Sequence, residues 1–238
     1  MKILLLGGTL DARKIAMALS RRDDIAVTMS LAGVTSSPLE MGVPLRIGGF
    51  GGAEGLAAYL VEANIDLLID ATHPYASGIS ANAARACRET AVRRMALWRP
   101  GWHPAEGDNW QLFPTWGALA SSIPDQATVF LAAGQDGMTA LRGMTRFAVF
   151  ARALVRPDDM DPHVHLIKSL PGKTPDDEIE LLTRYGITHI ACKNSGGTAS
   201  AAKLVAARRL GVPVLMVDRP PPPPAPLFDS ADAILAVI

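Results

Sequence analysis

The chain has 238 residues, of which 49% are hydrophobic and 19% are charged. That balance excludes intrinsic disorder and predicts enough apolar surface for two domains. The formal net charge is zero, which argues against a protein that coats nucleic acid through a basic excess. No apolar run approaches the roughly 20 residues of a membrane span, so we expect a cytoplasmic protein with neither a nucleic-acid nor a membrane partner.

The cysteines exclude two further classes. Cys87 and Cys192 are the only two in the chain and lie far apart in sequence. Their spacing matches neither a metal-ligand motif nor a disulfide framework. We therefore expect two buried thiols and no metal site.

The first half alternates short apolar runs with helical periodicity. The run 3–6 ends in Gly7 and Gly8, and Thr9 is placed to cap the helix that follows. An apolar run of this length, followed by turn residues, is typical of a buried parallel strand. The further strands predicted here are 25–31, 45–47, 66–70 and 94–98, and the further helices are 54–63 and 76–90.

The second half repeats the alternation of strands and helices after a polar segment. Residues 99–109 are rich in proline, glycine and polar side chains, and they read as the crossing between two domains, 1–100 and 110–238. The strands predicted after the crossing are 128–132, 147–153, 164–167, 188–192, 213–217 and 231–237, and the helices are 175–185 and 198–210.

This alternation predicts an α/β protein with two Rossmann-like three-layer domains, mainly parallel sheets and an interdomain cleft. Ligands of such sheets bind at the carboxyl ends of the strands. The terminal strands 94–98 and 231–237 each adjoin a long connection. A terminal strand is therefore able to leave its own sheet for the neighbouring one, although local pairing is the commoner outcome.

The first loop with chemical potential follows the first strand. It contains Gly7, Gly8, Thr9 and Leu10, and it opens a helix whose free N–H groups suit a phosphate. The usual G-x-G-x-x-G pattern is incomplete, so a tight structural turn is the alternative. Ser30 lies where an acidic residue would grip a free ribose diol, and its presence favours NADPH over NADH.

The second loop follows the strand 66–70. Thr72, His73 and Tyr75 place a hydroxyl, an imidazole and a phenol at the end of a strand, and Pro74 stiffens the backbone between them. Thr72 and His73 are candidates for cofactor binding, and His73 and Tyr75 for proton transfer. The alternative for His73 is a structural hydrogen bond.

The third loop follows the strand 188–192. It combines a cation, small polar groups, two glycines and the start of a helix, all of which suit an anion. The alternative is a glycine-rich turn with a surface lysine. The loop consists of Lys193, Asn194, Ser195, Gly196 and Gly197, with Ser200 and Lys203 on the helix that follows.

In this order and spacing the three loops resemble the precorrin-6A reductase family, over residues 3–220. Two segments depart from the family pattern, at residues 132–134 and 169–174, and substrate contacts there do not transfer. The resemblance is carried by Gly7-Gly8-Thr9, Ala12-Arg13, Asp70-Ala71-Thr72-His73-Pro74-Tyr75-Ala76, Lys193-Asn194-Ser195-Gly196-Gly197, Lys203-Leu204, Ala206-Ala207-Arg208, Leu210-Gly211-Val212-Pro213-Val214 and Arg219-Pro220.

The resemblance implies NADPH-dependent hydride transfer to precorrin-6A, a tetrapyrrole, giving precorrin-6B in vitamin B12 biosynthesis. Candidate proton donors are His73, Tyr75, Lys193 and water. The alternatives are a cobalt-precorrin-6A reductase, a dinucleotide-binding module without turnover, and an enzyme acting on glycosyl or phosphoryl groups. The side chains expected to meet the substrate carboxylates are Arg13, Arg85, Arg152, Ser200 and Lys203.

Overall fold

A computed structural model describes residues 1–33 and 42–238 of the chain. The contacts between residues divide it into two units, Met1–Pro100 with Pro220–Ile238, and Gly101–Arg219. Residues 220–238 therefore pack with the first unit, whereas the sequence placed them in a domain 110–238. Within the described residues, no helix combines the length and the apolarity needed to span a membrane.

Each unit is a six-stranded sheet, all parallel, with helices packed on it. The predicted α/β class with parallel sheets is thereby confirmed. In chain order the elements are β1 (Lys2–Leu6), α1 (Leu10–Leu19), β2 (Ala26–Leu31), β3 (Leu45–Ile47), α2 (Ala53–Glu62), β4 (Leu67–Asp70), α3 (Ser77–Thr90), β5 (Arg93–Leu97), β6 (Trp110–Phe113), α4 (Trp116–Ser122), β7 (Thr128–Ala132), α5 (Gln135–Ala140), β8 (Ala148–Arg152), β9 (Val164–Ile167), α6 (Pro175–Arg184), β10 (His189–Lys193), α7 (Ala202–Leu210), β11 (Val214–Val217), β12 (Leu227–Phe228) and α8 (Ala231–Leu235).

The two sheets share one strand order. The first reads β3-β2-β1-β4-β5-β12 and the second β9-β8-β7-β10-β11-β6. In both, the chain first winds outward on one side and then crosses to the other, so the switch points lie between β1 and β4 and between β7 and β10. Ligands of open α/β sheets bind at such points, outside the carboxyl ends of the strands.

The central strand β1 shows why its residues are apolar without interruption. Ile3 and Leu5 face the core formed with α1 and α8, whereas Leu4 and Leu6 face the core formed with α2 and α3. All four are buried. Because side chains alternate along a strand, a strand covered on both faces needs apolar residues at every position.

The sixth strand of each sheet is exchanged. β12 follows β11 in the chain but pairs with β5 of the first sheet, through Leu227↔Ala96 and Phe228↔Leu97. β6 follows β5 but pairs with β11 of the second sheet, beginning at Val214↔Trp110. The exchange therefore uses two strands that the sequence had not identified.

The predicted strand 231–237 is wrong, because α8 lies there. Ser230 caps this helix by accepting a hydrogen bond from the Ala233 N–H at 3.2 Å. Ala231 and Ile234, three residues apart, are both buried in the core of the first unit. This apolar spacing is that of one helical turn. Because α8 is only about one turn long, the sequence does not show a repeated helical period there.

Four further differences concern weak local signals. The short helices α4 and α5 were not predicted. The strand β6 was missed because its side chains are largely exposed, with Leu112 at 55%, so no buried run marks it. The helix α7 begins at Ala202, whereas the sequence placed its start at Thr198. Ser200 therefore lies in a turn before the helix.

Candidate functional site

The loop after β1 is shaped by two glycines with different functions. The Gly7 N–H donates to the Ser30 carbonyl at 2.9 Å, and a Cβ at Gly7 would lie 2.1 Å from Met29 Cε. Gly8 has a φ of +112°, which favours glycine, and a Cβ there would meet no atom within 4 Å. Gly7 thus allows close packing on β2, and Gly8 leaves open space beside the backbone.

Thr9 connects the first two candidate loops. Its hydroxyl accepts from the Ala12 N–H at 3.1 Å, which confirms the predicted cap of α1. The same hydroxyl donates to the Ala71 carbonyl at 2.8 Å. Because Ala71 directly follows β4, this bond ties the loops on both sides of the first switch point. The adjacent Leu10 is 60% exposed.

The loop after β4 is organised by Asp70, a residue that was not among the predicted site residues. Asp70 is 3% exposed, and its Oδ1 accepts from the Thr72 hydroxyl at 2.7 Å and from the Thr72 N–H at 3.2 Å. An acidic residue that ends a buried apolar strand was the signal available. An aspartate carboxylate that accepts from the N–H two residues later is typical of a turn.

His73 and Tyr75 lie in the turn that follows. The Tyr75 N–H donates to His73 Nδ1 at 3.3 Å, and the Ala76 N–H donates to the His73 carbonyl at 2.7 Å. The two rings are 5.6 Å apart. The backbone of this turn thus holds the His73 ring beside the Tyr75 ring.

The loop 193–197 follows β10, beside the second switch point. Lys193 Nζ lies 2.6 Å from Asp136 Oδ2, and the lysine side chain is 12% exposed. Gly196 and Gly197 have φ values of +65° and +75°. Two successive left-handed residues turn the backbone sharply, and only glycine adopts this conformation without strain. Asp136 lies in the first turn of α5, a helix that was not predicted from the sequence.

Arg152, which the sequence predicts to meet a substrate carboxylate, forms an ion pair with Glu178. Both of its terminal nitrogens donate to the Glu178 carboxylate, each at 2.8 Å, and the two side chains are 9% and 1% exposed. The Gly172 N–H donates to the same carboxylate at 2.5 Å. This buried ion pair compensates the arginine charge inside the second unit.

Lys203, also predicted to bind substrate, is 3% exposed. Its Nζ donates to the Ser200 carbonyl at 2.7 Å and lies 4.4 Å from the centre of the Trp102 ring. Burial lowers the pKa of Lys203 below the ordinary lysine value. The Lys203 ammonium therefore packs beneath the segment that follows the loop 193–197. The contact that Ser200 makes with it is through the backbone carbonyl, not through the hydroxyl.

The remaining predicted cations lie on the first unit. Arg85 is on the surface of α3, where it pairs with Glu89 at 2.7 Å and with Glu54 at 3.1 Å. The Arg13 side chain forms no ion pair with any residue in the described part of the chain. No cluster of three histidine, cysteine, aspartate or glutamate side chains is placed to hold a metal within residues 1–33 and 42–238.

Each unit is thus a doubly wound α/β sheet, and its candidate loops follow the carboxyl ends of the strands at the switch point. The precorrin-6x reductase CbiJ/CobK family model matches residues 2–238, and the chain belongs to this family. It is accordingly an oxidoreductase. The resemblance seen in the sequence is thereby confirmed.

Individual relatives support the family assignment along nearly the whole chain. A precorrin-6A reductase from Rhodococcus erythropolis is 40% identical over 226 residues, covering 94% of this chain and 91% of the relative. A precorrin-6A reductase from Sinorhizobium sp is 40% identical over 237 residues, covering 98% and 91%. The solved structure of CobK precorrin-6A reductase matches with a TM-score of 0.93 at 34% identity, over 100% of this chain and 95% of that one.

Proposed function

We propose that this enzyme reduces precorrin-6A to precorrin-6B by hydride transfer from NADPH. Family membership supports the reaction, and a reductase of this kind is consistent with a nicotinamide cofactor. The observation that carries the site assignment is the hydrogen bond between Thr9 and Ala71, because it joins the two loops of the first switch point.

The first-unit loops fit a dinucleotide. Gly8 leaves open space beside the backbone, and α1 starts directly after Thr9. A helix N-terminus with accessible N–H groups stabilises a phosphate. We assign Gly7, Gly8, Thr9 and Leu10 to the pyrophosphate region, and Thr72 and His73 to the neighbouring part of the same cofactor.

The preference for NADPH over NADH rests on the end of β2. Ser30 is 5% exposed there, and its carbonyl accepts from Gly7. A cofactor with a free ribose diol is normally held by an acidic residue at this position. A serine lacks the charge that would repel a 2′-phosphate.

The second-unit loop supplies anion recognition. We assign Lys193, Ser195, Gly196 and Gly197 to an anionic group of the cofactor, with Lys193 held by Asp136. Arg13 is the remaining cation proposed for a substrate carboxylate. We do not assign Arg152 and Lys203 to a substrate carboxylate, since Glu178 and the Ser200 carbonyl are their partners.

Hydride donation is the chemistry that the cofactor supplies when bound. The residues of this chain orient it, exclude water and deliver a proton. We propose His73 as a proton donor in its imidazolium form, since it lies in the turn after β4 with its ring 5.6 Å from that of Tyr75. Tyr75, Lys193 and water are the alternative donors.

The reaction is tested with the purified enzyme under anaerobic conditions. Metal-free and cobalt-loaded precorrin-6A are each combined with NADPH and with NADH, and loss of the reduced nicotinamide is followed by absorbance. We expect one NADPH consumed per metal-free macrocycle and a kcat/KM for NADH at least about tenfold lower. Turnover of the cobalt-loaded macrocycle alone would favour the cobalt-precorrin-6A reductase. NADPH binding without any turnover would favour a dinucleotide-binding module.

Thr9→Val tests the site assignment. The variant loses the hydrogen bond to Ala71 and weakens the cap of α1. We expect the Kd for NADPH to rise about tenfold, equivalent to roughly 1.4 kcal/mol. Thr115→Val is the matched control, because Thr115 caps α4 in the same way by accepting from Ala118. An equal effect of the two variants would contradict the assignment.

A further inference from the structure

Trp102 is the first large side chain of the second unit, and one amide engages its main chain. The Trp102 N–H donates to Asn194 Oδ1 at 2.7 Å, and Asn194 Nδ2 donates to the Trp102 carbonyl at 3.1 Å. Asn194 is 7% exposed. Trp102 belongs to neither a helix nor a strand, so this pair replaces the ladder bonds that it lacks.

The Trp102 side chain reaches the other end of the loop. Its indole Nε1 donates to the Gly197 carbonyl at 2.8 Å, and its ring lies 4.4 Å from Lys203 Nζ. A single residue therefore contacts the start of the loop 193–197, its end and the helix beyond it. A buried cation over an indole face adds to this contact.

Gly101 is required by the closeness of this contact. A Cβ at Gly101 would lie 3.2 Å from Asn194 Oδ1, 3.3 Å from Asn194 Nδ2 and 3.1 Å from Arg219 Cδ. These separations are tighter than ordinary van der Waals contact, so even one methyl group would displace the amide. The segment 101–102 and the side chain of Asn194 are thus closely fitted to each other.

We propose that Trp102 and Asn194 are positioning residues that hold the loop 193–197 in its anion-binding conformation. Gly196 and Gly197 both have positive φ, and a glycine pair loses more backbone entropy on ordering than other residues do. Fixing the pair before binding removes that cost from the binding step. Asn194 thereby acts through Trp102 on the loop, in place of the direct cofactor contact expected from its position in the sequence.

This proposal rests on the proposed function for the identity of the ligand, but its first test does not require a ligand. Trp102→Phe keeps a ring over Lys203 and loses the indole N–H. We expect the amide order parameters of Gly196 and Gly197, measured by NMR relaxation, to fall from about 0.85 to below about 0.6. Trp116→Phe is the matched control, since within the described residues the Trp116 indole has no hydrogen bond. Unchanged order parameters in Trp102→Phe would overturn the proposal.

The second test measures binding and turnover. In Trp102→Phe we expect the Kd for NADPH to rise about tenfold while kcat at saturating NADPH stays within about twofold of wild type. A loss of kcat without a change in Kd would overturn the positioning role. If the wild-type protein itself fails to bind NADPH, the proposed function fails, whereas the order parameters still decide the inference.

A second pair of variants covers the case in which Trp102→Phe does not fold. Gly101→Ala places a methyl group against Asn194, whereas Gly117→Ala meets its nearest atom, Thr115 Oγ1, at an ordinary 3.9 Å. We expect Gly101→Ala alone to lower the order parameters of Gly196 and Gly197. Equal order parameters in the two variants would overturn the proposal.

Discussion

The two units share a strand order but differ in how they stabilise buried charge. In the first, Arg94 donates to the backbone carbonyls of Pro224 and Ala225, and Asp70 accepts from Thr72. In the second, Arg152 forms a bidentate ion pair with Glu178. Arg94 and Asp70 thus have neutral partners, whereas Arg152 has a partner of opposite charge.

This difference has an energetic consequence. A charge that is solvated by backbone and hydroxyl groups depends on local conformation, whereas a buried ion pair depends on both partners being present. The second unit also buries Lys203, which has no ion pair among the residues that the structure describes. Lys203 is thus a buried cation whose hydrogen bond goes to a neutral backbone carbonyl.

Removing Glu178 is expected to have the largest effect. Glu178→Ala leaves Arg152 buried and uncompensated, so the free energy of unfolding should fall by about 3–5 kcal/mol in denaturant titration. The matched control is Glu180→Ala on the same helix, where the carboxylate is 70% exposed and pairs with Arg184. It should cost no more than about 0.5 kcal/mol. Equal losses of unfolding free energy in the two variants would contradict the distinction between the buried and the exposed ion pair.

The apolar packing of the first unit is tested next. Ile234→Ala in α8 should cost about 2–4 kcal/mol, because Ile234 is fully buried in the core around β1. Val237→Ala, at a site 56% exposed, is the control and should change little. Hydrogen exchange should accelerate first in β1 and β5. Earlier acceleration in β10 would show that residues 220–238 stabilise the other unit instead.

Lys203→Met is expected to leave the free energy of unfolding within about 1 kcal/mol of wild type, or to raise it, since a buried charge is replaced by an apolar side chain of similar size. Burial lowers the pKa of Lys203 in the folded state below 10.5. Between the two pKa values the unfolded state binds more protons, so wild-type stability rises with pH there. The free energy of unfolding of the wild type should therefore rise relative to that of the variant as pH approaches 10.5. A constant difference would contradict a buried ammonium.

The smallest effect concerns the thiols, one in each unit. Burial raises the pKa of Cys87 to about 11 and also raises that of Cys192. Only the thiolate reacts, so neither should be labelled by a thiol reagent in the native protein at neutral pH, and both should react in denaturant. In Glu178→Ala, labelling of Cys192 should accelerate more than that of Cys87. The reverse order would place the weakened region in the first unit.

Residues of the candidate site could be predicted where they directly follow a strand in the sequence. Glycines, Thr72, His73 and Lys193 follow apolar runs directly, and strand ends are visible in the sequence. Glu178 and Asp136 were not predictable as partners, because each pairs with a residue 26 or 57 positions away. Arg152 and Lys203 were assigned to substrate for the same reason: a charge in a sequence does not reveal its burial.

The sequence alone determined the features that depend on neighbouring residues. Of the twelve strands in residues 1–33 and 42–238, the apolar runs located ten to within two residues at each end, because a parallel strand covered on both faces must be apolar throughout. Thr9 identified the start of α1, since a cap requires only the next three residues. Tertiary structure decided which sheet receives β6 and β12, because their few exposed residues fit either edge and only the pairing partners select one. It also decided which charges are compensated inside the protein, since that depends on residues far apart in the chain.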